Sequence, residues 1–413
     1  MLQTHLYNRH NKTSDATVMK LFPYLIAFLF FLFNPSNSFG QNSASSIIVQ
    51  TKQGPQLNYA IAANCSFSYQ QSLELPNSKD NQLLSFVGDL KTEFRAIQTQ
   101  IDSSSYVLFR AADVSIFPLE KLDSIIGNDS LILINEAHDR LVQRAFLYQL
   151  LPLLKEKGFT HIAMETFAAP SGELSISTGF YTAEPLMGEV YRRALALGFD
   201  FIRYEDTLHN SLLRDSLQAV NLKNNLYDNG KWRKTLVICG YGHLYETSDS
   251  RENKMMGEYI SELTGVDPLT IDQVLFGEYD PNSYSHSIYE ALRQDVPILV
   301  SQIEFWPFAD FCLVHPPTQF INNRPDCILL NDKKHFFEFS DYPRNTRLAQ
   351  VYLADEIKSK RDFQTRIPTD QTTYFKNGIF MLALDPAETY LLVYRNKKNR
   401  ILRIKKIKPT SSK

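Results

Sequence analysis

Cysteine is scarce in this chain, with 4 residues among 413. None forms a CxxC pair, which argues against a zinc ribbon or a thioredoxin-type redox motif and, with so few cysteines, against a disulfide-dense scaffold. Glycine is also sparse, at 16 residues, which excludes a collagen-like chain. Neither charge dominates: 43 Lys+Arg stand against 45 Asp+Glu, for a formal net charge of -2. That balance argues against a dedicated nucleic-acid binder, which shows a basic surplus. No repeat of fixed period and no low-complexity tract interrupts the sequence. No apolar run reaches the roughly 20 residues needed to span a membrane as a helix.

What is present is ordinarily globular: 44% hydrophobic and 21% charged residues. Such a composition excludes a mostly disordered chain, and the length allows about two to three domains. The densest apolar run is Leu21–Phe33, preceded by Met19-Lys20 and followed by Asn34-Pro35. Ser38-Phe39-Gly40 then supplies small residues at the -3 and -1 positions of a cut before Gln41. This is the pattern of a secretory signal with its start at Met19, so residues 1–40 are expected to be removed and the chain to be periplasmic or secreted. The alternative is an uncut membrane anchor, which the short run and its flanks disfavour. No Cys follows the run closely, against a lipoprotein anchor. In an oxidising compartment Cys312 and Cys327 could pair; the blander expectation is buried thiols at Cys65, Cys239, Cys312 and Cys327.

Residues 41–125 read as a mixed lead-in with helical spacing over Leu83–Ile101. From 126 to 302 strands and helices alternate. Expected strands are Leu131–Ile134, His161–Met164, Phe199–Tyr204, Thr235–Cys239, Leu269–Phe276 and Pro297–Val300. Expected helices are Arg140–Lys157, Glu184–Leu197, Ser211–Tyr227, Lys254–Leu263 and Ile288–Arg293. This rhythm predicts βαβ units, hence an α/β fold with a mostly parallel central sheet and flanking helices. Residues 303–413 lose the rhythm and read as a mixed, strand-rich C-terminal extension. Its expected strands are Phe311–Val314, Cys327–Leu330, Ile379–Leu384 and Tyr390–Tyr394, with a closing hairpin over Leu391–Arg395 and Arg400–Lys406. The basic residues of that hairpin suit a solubilised sheet edge better than an anionic-ligand patch.

Ligands of open parallel sheets bind beyond the carboxyl ends of the strands. Those ends carry Glu136 and His138, then Glu165, then Tyr204-Glu205-Asp206, then Gly240-Tyr241-Gly242-His243. Glu136 and His138 are two apart, so an extended backbone points both to one face. A carboxylate beside an imidazole fixes its tautomer and raises its basicity, as general acid–base catalysis requires. Two His and two carboxylates also suit a divalent metal, with His138, His243 and Glu165 as ligands. Arg214 can clamp a carboxylate or stabilise an oxyanion, and Asp215 can orient it or simply favour the start of its helix. Tyr204, Asp215 and Tyr241 are the candidate substrate- or ligand-binding residues. The plainer alternative is that Glu136 and His138 only cap the following helix.

The run LILINEAHDRLVQRAFLYQLLPLLKEKGFTHIAMETFA resembles the opening of the erythromycin esterase / ChaN / Tiki superfamily. There a strand ends in a Gly-Glu-x-His-like motif and a second strand ends in Glu. LLRDSLQAVNLKNNL resembles that family's Arg-Asp helix, and KTLVICGYGHLYE its Gly-x-Gly-His strand end. The resemblance spans about residues 130–280, with Asn135 where the family usually has Gly. It implies that Glu136, His138, Glu165, Arg214 and His243 line one cleft. It does not imply one activity: erythromycin esterases open macrolide lactones, Tiki proteins are metal-dependent proteases, and ChaN proteins bind haem.

The expectation from residues and resemblance together is an exported hydrolase of an ester, lactone or amide, acting on a small molecule or peptide. His138, oriented by Glu136 or Glu165, would deprotonate water, and Arg214 with His243 would stabilise the oxyanion. A divalent metal is a variant of this. The alternatives are a haem or iron-ligand binding protein using Tyr241 and His243, and a non-catalytic relic. No nucleic acid and no membrane anchor after signal removal are expected.

Overall fold

A computed structural model describes residues 48–52, 54–59, 81–88, 115–168, 173–205, 213–228, 231–247, 254–276, 296–301, 307–373 and 378–410. The signal segment, Cys65 and the helix expected at Ile288–Arg293 lie outside the described residues.

The protein is α/β. Among the described residues eight strands form the main sheet: β1 (Ser115–Pro118), β2 (Leu131–Glu136), β3 (His161–Met164), β4 (Asp200–Ile202), β5 (Thr235–Gly240), β6 (Leu269–Asp272), β7 (Ile298–Ser301) and β8 (Phe311–Val314). Their order is β1-β7-β8-β6-β2-β5-β3-β4. From β8 to β4 every neighbouring pair is parallel, with β2 and β5 at the centre. β2 and β5 are buried along their whole length, so both read as continuous apolar runs rather than alternating ones.

Among the described residues four helices cover the sheet: α1 (Leu141–Glu156), α2 (Pro185–Ala196), α3 (Arg214–Leu226) and α4 (Met256–Thr264). Alternate strand residues divide between two layers. Ile132, Ile134, Ile162, Met164, Leu236 and Ile238 pack with Leu147 and Leu151 of α1 and Met187 and Val190 of α2. Leu131, Leu133, Ala163, Val237 and Cys239 pack with Leu222 of α3 and Met256 and Ile260 of α4. Gly158, at φ 82°, ends α1 in the left-handed conformation that glycine adopts without strain.

This layering places a crevice. The chain leaves β2 for α1 on one face and leaves the adjacent β5 for α4 on the other. Their carboxyl ends therefore diverge, which is the topological switch point where α/β sheets bind ligands.

Three expectations need correction. The strand expected at Pro297–Val300 forms as β7, but antiparallel to both β1 and β8. Only nine residues, 302–310, separate β7 from β8, fewer than a parallel crossover needs. β8, expected in the C-terminal extension, thus joins the main sheet, as does β1 from the lead-in. The strand expected at Cys327–Leu330 is instead a 3-10 turn over Asp326–Leu329. It runs into Leu330, Asn331 and Asp332, all at positive φ, where Asn and Asp are tolerated. Cys312 is a free buried thiol, so no bridge to Cys327 forms.

The C-terminal part holds a four-stranded antiparallel sheet. Its strands are β10 (Leu348–Leu353), β11 (Asp370–Thr373), β13 (Tyr390–Arg395) and β14 (Ile401–Ile407), in the order β11-β10-β13-β14. A two-stranded ladder pairs β9 (His335–Phe339) with β12 (Phe380–Leu384). β13 and β14 are the expected closing hairpin, with β14 at the sheet edge. Polar bonds join this part to α2. Arg192 grips Glu356 through two bonds of 2.7 and 2.8 Å and donates to the Ile367 carbonyl at 2.6 Å. Lys334 meets Glu189 at 3.1 Å.

Candidate active site

β2 delivers Glu136, and the chain then turns so that His138 faces back over it. The His138 Nδ1 lies 3.3 Å from Glu136 Oε1, so the two groups share one side because of this turn and not, as expected, because the backbone stays extended. Glu136 is buried, and its partner is Arg144 from the first turn of α1. Arg144 donates from Nε to one Glu136 oxygen at 2.5 Å and from Nη2 to the other at 2.9 Å. Burial pushes the Glu136 carboxyl up, but the Arg144 charge and the bonds from His138 and Arg144 outweigh it and hold the group below its ordinary range. Glu136 is therefore the carboxylate, a fixed acceptor for the His138 Nδ1 proton. The helix-capping alternative does not describe it.

β3 delivers Glu165 from the other layer of the sheet. Its Oε1 receives Arg214 Nη2. Burial again raises the carboxyl, and the charges of Arg214, His138 and His243 overcome this to bring it to about 2. Its second oxygen, Oε2, is buried and has no hydrogen-bond partner among the described residues. This oxygen and His138 Nε2 each lie 2.7 Å from the point where a Cβ on Gly240 would sit. A side chain there is excluded, so the glycine that ends β5 opens the space in which the two groups meet. Two of the neighbouring strand-end residues, Thr166 (φ 59°) and Tyr241 (φ 44°), hold positive φ. Strain of this kind persists where surrounding structure over-determines the backbone, and it clusters at functional sites.

Arg214 opens α3 and is the hub of the second layer. Besides Glu165 it bonds Glu205 Oε1 from Nε at 3.1 Å and Glu205 Oε2 from Nη2 at 3.2 Å, and its Nη1 lies 3.2 Å from His243 Nε2. His243 sits in the turn after β5, with Nδ1 2.6 Å from Asp215 Oδ1. Burial lowers the His243 pKa, Asp215 raises it, and the net direction is upward. Asp215 also accepts from the Met256 backbone at the start of α4, at 2.9 Å. It therefore orients His243 rather than Arg214.

The cleft brings together Glu136, His138, Glu165, Arg214, Asp215, Tyr241 and His243. Tyr241 stands edge-on to the His138 ring, centroids 5.0 Å apart, and burial raises its phenol above the ordinary range. Tyr204 does not join them. It is fully buried in the α3/α4 layer, and its hydroxyl donates to the Ile238 carbonyl at 2.9 Å. Asn135, in the family's glycine position, is also buried. Its amide donates to Asp272 and to the Tyr241 carbonyl, each at 2.7 Å, and so ties β2 to β6 and to the turn after β5.

The expected metal set does not fit. Among the described residues no group of three His, Cys, Asp or Glu side chains converges to hold an ion. The chemistry of the donors gives the reason: the Arg214 cation stands between Glu165 and His243, taking Oε1 of one and facing Nε2 of the other. The same contact occupies the His243 nitrogen that would ligate haem iron. The cleft instead holds an imidazole anchored at Nδ1 on Glu136, with its Nε2 beside Glu165 Oε2 over Gly240.

Three residues escaped the sequence reading, Arg144, Tyr181 and Glu184, while Glu205 was read as a strand-end residue but given no role. Arg144 had a signal, because it lies on the buried stripe of α1 between Leu141 and Leu147. Glu205 stood at a strand end like Glu165. Tyr181 stacks on the His138 ring with centroids 4.0 Å apart, and it comes from a loop with no pattern that reveals this.

No protein-family profile matches the chain, and no curated protein does. Solved structures with some likeness exist. Two carry titles naming bacterial protein toxins. One is 15% identical over 52% of this chain and 45% of that one, with a TM-score of 0.30. The other is 12% identical over 52% of this chain and 53% of that one, with a TM-score of 0.28. The chain spans about half the length of each.

Proposed function

We propose that the chain is an exported hydrolase of an ester, lactone or amide bond, of the erythromycin esterase / ChaN / Tiki type, with His138 as general base. One observation carries this reading: His138 Nε2 and the unpartnered Glu165 Oε2 face the same space above Gly240, while His138 Nδ1 is anchored on a buried carboxylate. A water seated there donates one proton toward Nε2 and the other toward Oε2. As the water attacks the acyl carbon, its proton passes to Nε2, and Glu136 supports the imidazolium that forms. Arg214 places a positive charge beside the developing oxyanion. The proton on Nε2 then goes to the leaving oxygen or nitrogen. His243, held by Asp215, keeps Arg214 in register.

The test is a panel of aryl esters, lactones and peptides assayed with the purified chain starting at Gln41, with and without chelator. Chelator-insensitive turnover of at least one class is expected, falling about 10²–10⁴-fold in His138→Ala. Turnover unaffected by His138→Ala, or none across the panel, would overturn the reading. Export is checked separately by amino-terminal sequencing of the protein recovered from the host, with Gln41 expected as its first residue.

A further inference from the structure

Glu184 is not one of the strand-end residues, yet its carboxylate is built into the same charge network. It is buried, at 1% exposure, and precedes α2, where its two oxygens accept from Leu186 N at 2.9 Å and Met187 N at 2.8 Å. This is an N-cap, strengthened by Pro185 at the first helical position. The cap alone does not account for the third bond. Arg144 Nη1 reaches Glu184 Oε2 at 3.0 Å, while its Nε and Nη2 hold Glu136. Arg144 is fully buried and also donates to the His138 carbonyl at 3.0 Å.

Glu184, Arg144 and Glu136, all buried, therefore form a continuous chain that ends on the partly exposed His138. Two carboxylates share one guanidinium; burial raises the Glu184 carboxyl against the Arg144 charge and its backbone bonds, and with both carboxylates ionised the three side chains carry a net charge of one minus. Had Arg144 faced Glu136 alone, the pair would be neutral and Glu136 would be a poorer acceptor for His138. Because Glu184 shares the cation, Glu136 keeps negative charge to direct at Nδ1 and at an imidazolium. The same stretch of chain supplies Tyr181, whose ring stacks on His138 at 18° interplanar angle. Two residues on, the Ala183 carbonyl accepts from the buried Tyr59 hydroxyl at 2.6 Å.

We infer that Glu184 is a positioning residue for the reaction: through Arg144 and Glu136 it holds His138 in the Nδ1–H tautomer, with Nε2 open to the cleft. The inference rests on the proposed hydrolase reading for its meaning, but not for its test. Neutral histidine in water favours the Nε2–H form, so the tautomer is a readout that a purely structural cap would not move.

The experiment is long-range ¹H–¹⁵N spectroscopy of histidine-labelled full-length chain, with His138 assigned by its disappearance in His138→Ala. Wild type is expected to show the Nδ1–H signature in the neutral ring. Glu184→Gln keeps an acceptor for the cap but loses the charge. It is expected to shift the ring toward the Nε2–H form or a mixture, and to lower kcat about 10-fold with little change in KM. Glu184→Asp, which keeps charge and cap, is expected to retain the wild-type signature. If Glu184→Gln does not fold, Arg144→Lys serves instead: it keeps the cation but cannot bridge both carboxylates, and the same tautomer shift is expected. A wild-type signature in folded Glu184→Gln or Arg144→Lys overturns the inference. Absence of any hydrolysis with the tautomer shift intact overturns the hydrolase reading and leaves the relay standing.

Discussion

His138 and Glu165 come from opposite layers of the sheet and meet above a glycine. His138 Cε1 lies 2.5 Å, and Glu165 Oε2 2.7 Å, from where a Cβ on Gly240 would be. Gly240→Ala is thus expected to push the pair apart. Its cost in stability should be about 1–3 kcal/mol, as for an overpacked core, while turnover should fall about 100-fold. Denaturant melts beside kinetic assays check both. A variant that keeps wild-type turnover would mean that the two groups do not act together.

Arg144 is the buried cation on which the first carboxylate depends. Arg144→Met leaves Glu136 and Glu184 buried without their shared partner. A loss of about 3–5 kcal/mol is expected, the scale for removing one member of a buried ion pair. Urea denaturation of the variant measures it.

Two groups give the stability a stepped pH dependence. His315 is buried, and burial alone brings it down to about 3 from its ordinary 6.5. The unfolded chain takes up that proton near 6.5, so the contribution is full above 6.5 and is lost progressively as pH falls toward 3. Glu165, at about 2 against an ordinary 4.5, contributes fully above 4.5 and loses this as pH falls toward 2. Thermal melts from pH 8 to 3 should therefore decline in two stages. His315→Gln, which removes the titration, should flatten the first stage and leave the second.

The C-terminal part is tied to α2 by Arg192, which bridges Glu189, Glu356 and the Ile367 carbonyl. Arg192→Ala should cost about 2–3 kcal/mol, less than a fully buried pair because Glu356 retains some access to water. Hydrogen exchange should then rise in β10 and β11 before it rises in β2 and β5. Uniform exchange across both would show that α2 does not anchor the extension.

Much of the main sheet was legible in the chain. Leu131–Ile134, His161–Met164 and Thr235–Cys239 are short apolar runs bounded by helical spacing, and each lies in a strand of the main sheet. Their terminal residues were legible too, because a Glu or His after an apolar run at a strand end is conspicuous. The direction of β7 was not, since an isolated apolar run carries no sign of direction. β9, β10 and β11 escaped as well. Asp370–Thr373 is wholly polar and yet buried, its burial made possible by partners elsewhere in the chain: Arg324 on Asp370 and Gln350 on Gln371.

The chain by itself determined the α/β alternation and the set of chemical groups at the strand ends, because both follow from local periodicity and from what immediately succeeds each apolar run. Only the tertiary structure decided which groups meet. The pairing of β2 with β5 joins residues about a hundred positions apart, and it alone brings His138 over Gly240. Folding also set Arg214 between Glu165 and His243, turning an expected metal set into a charge-locked cleft. It placed Tyr204 in the core, and it joined Glu184 to His138 through a buried arginine. Spacing along a chain reports which face a residue occupies, but the partner across the crevice depends on strand order, and no local pattern encodes that.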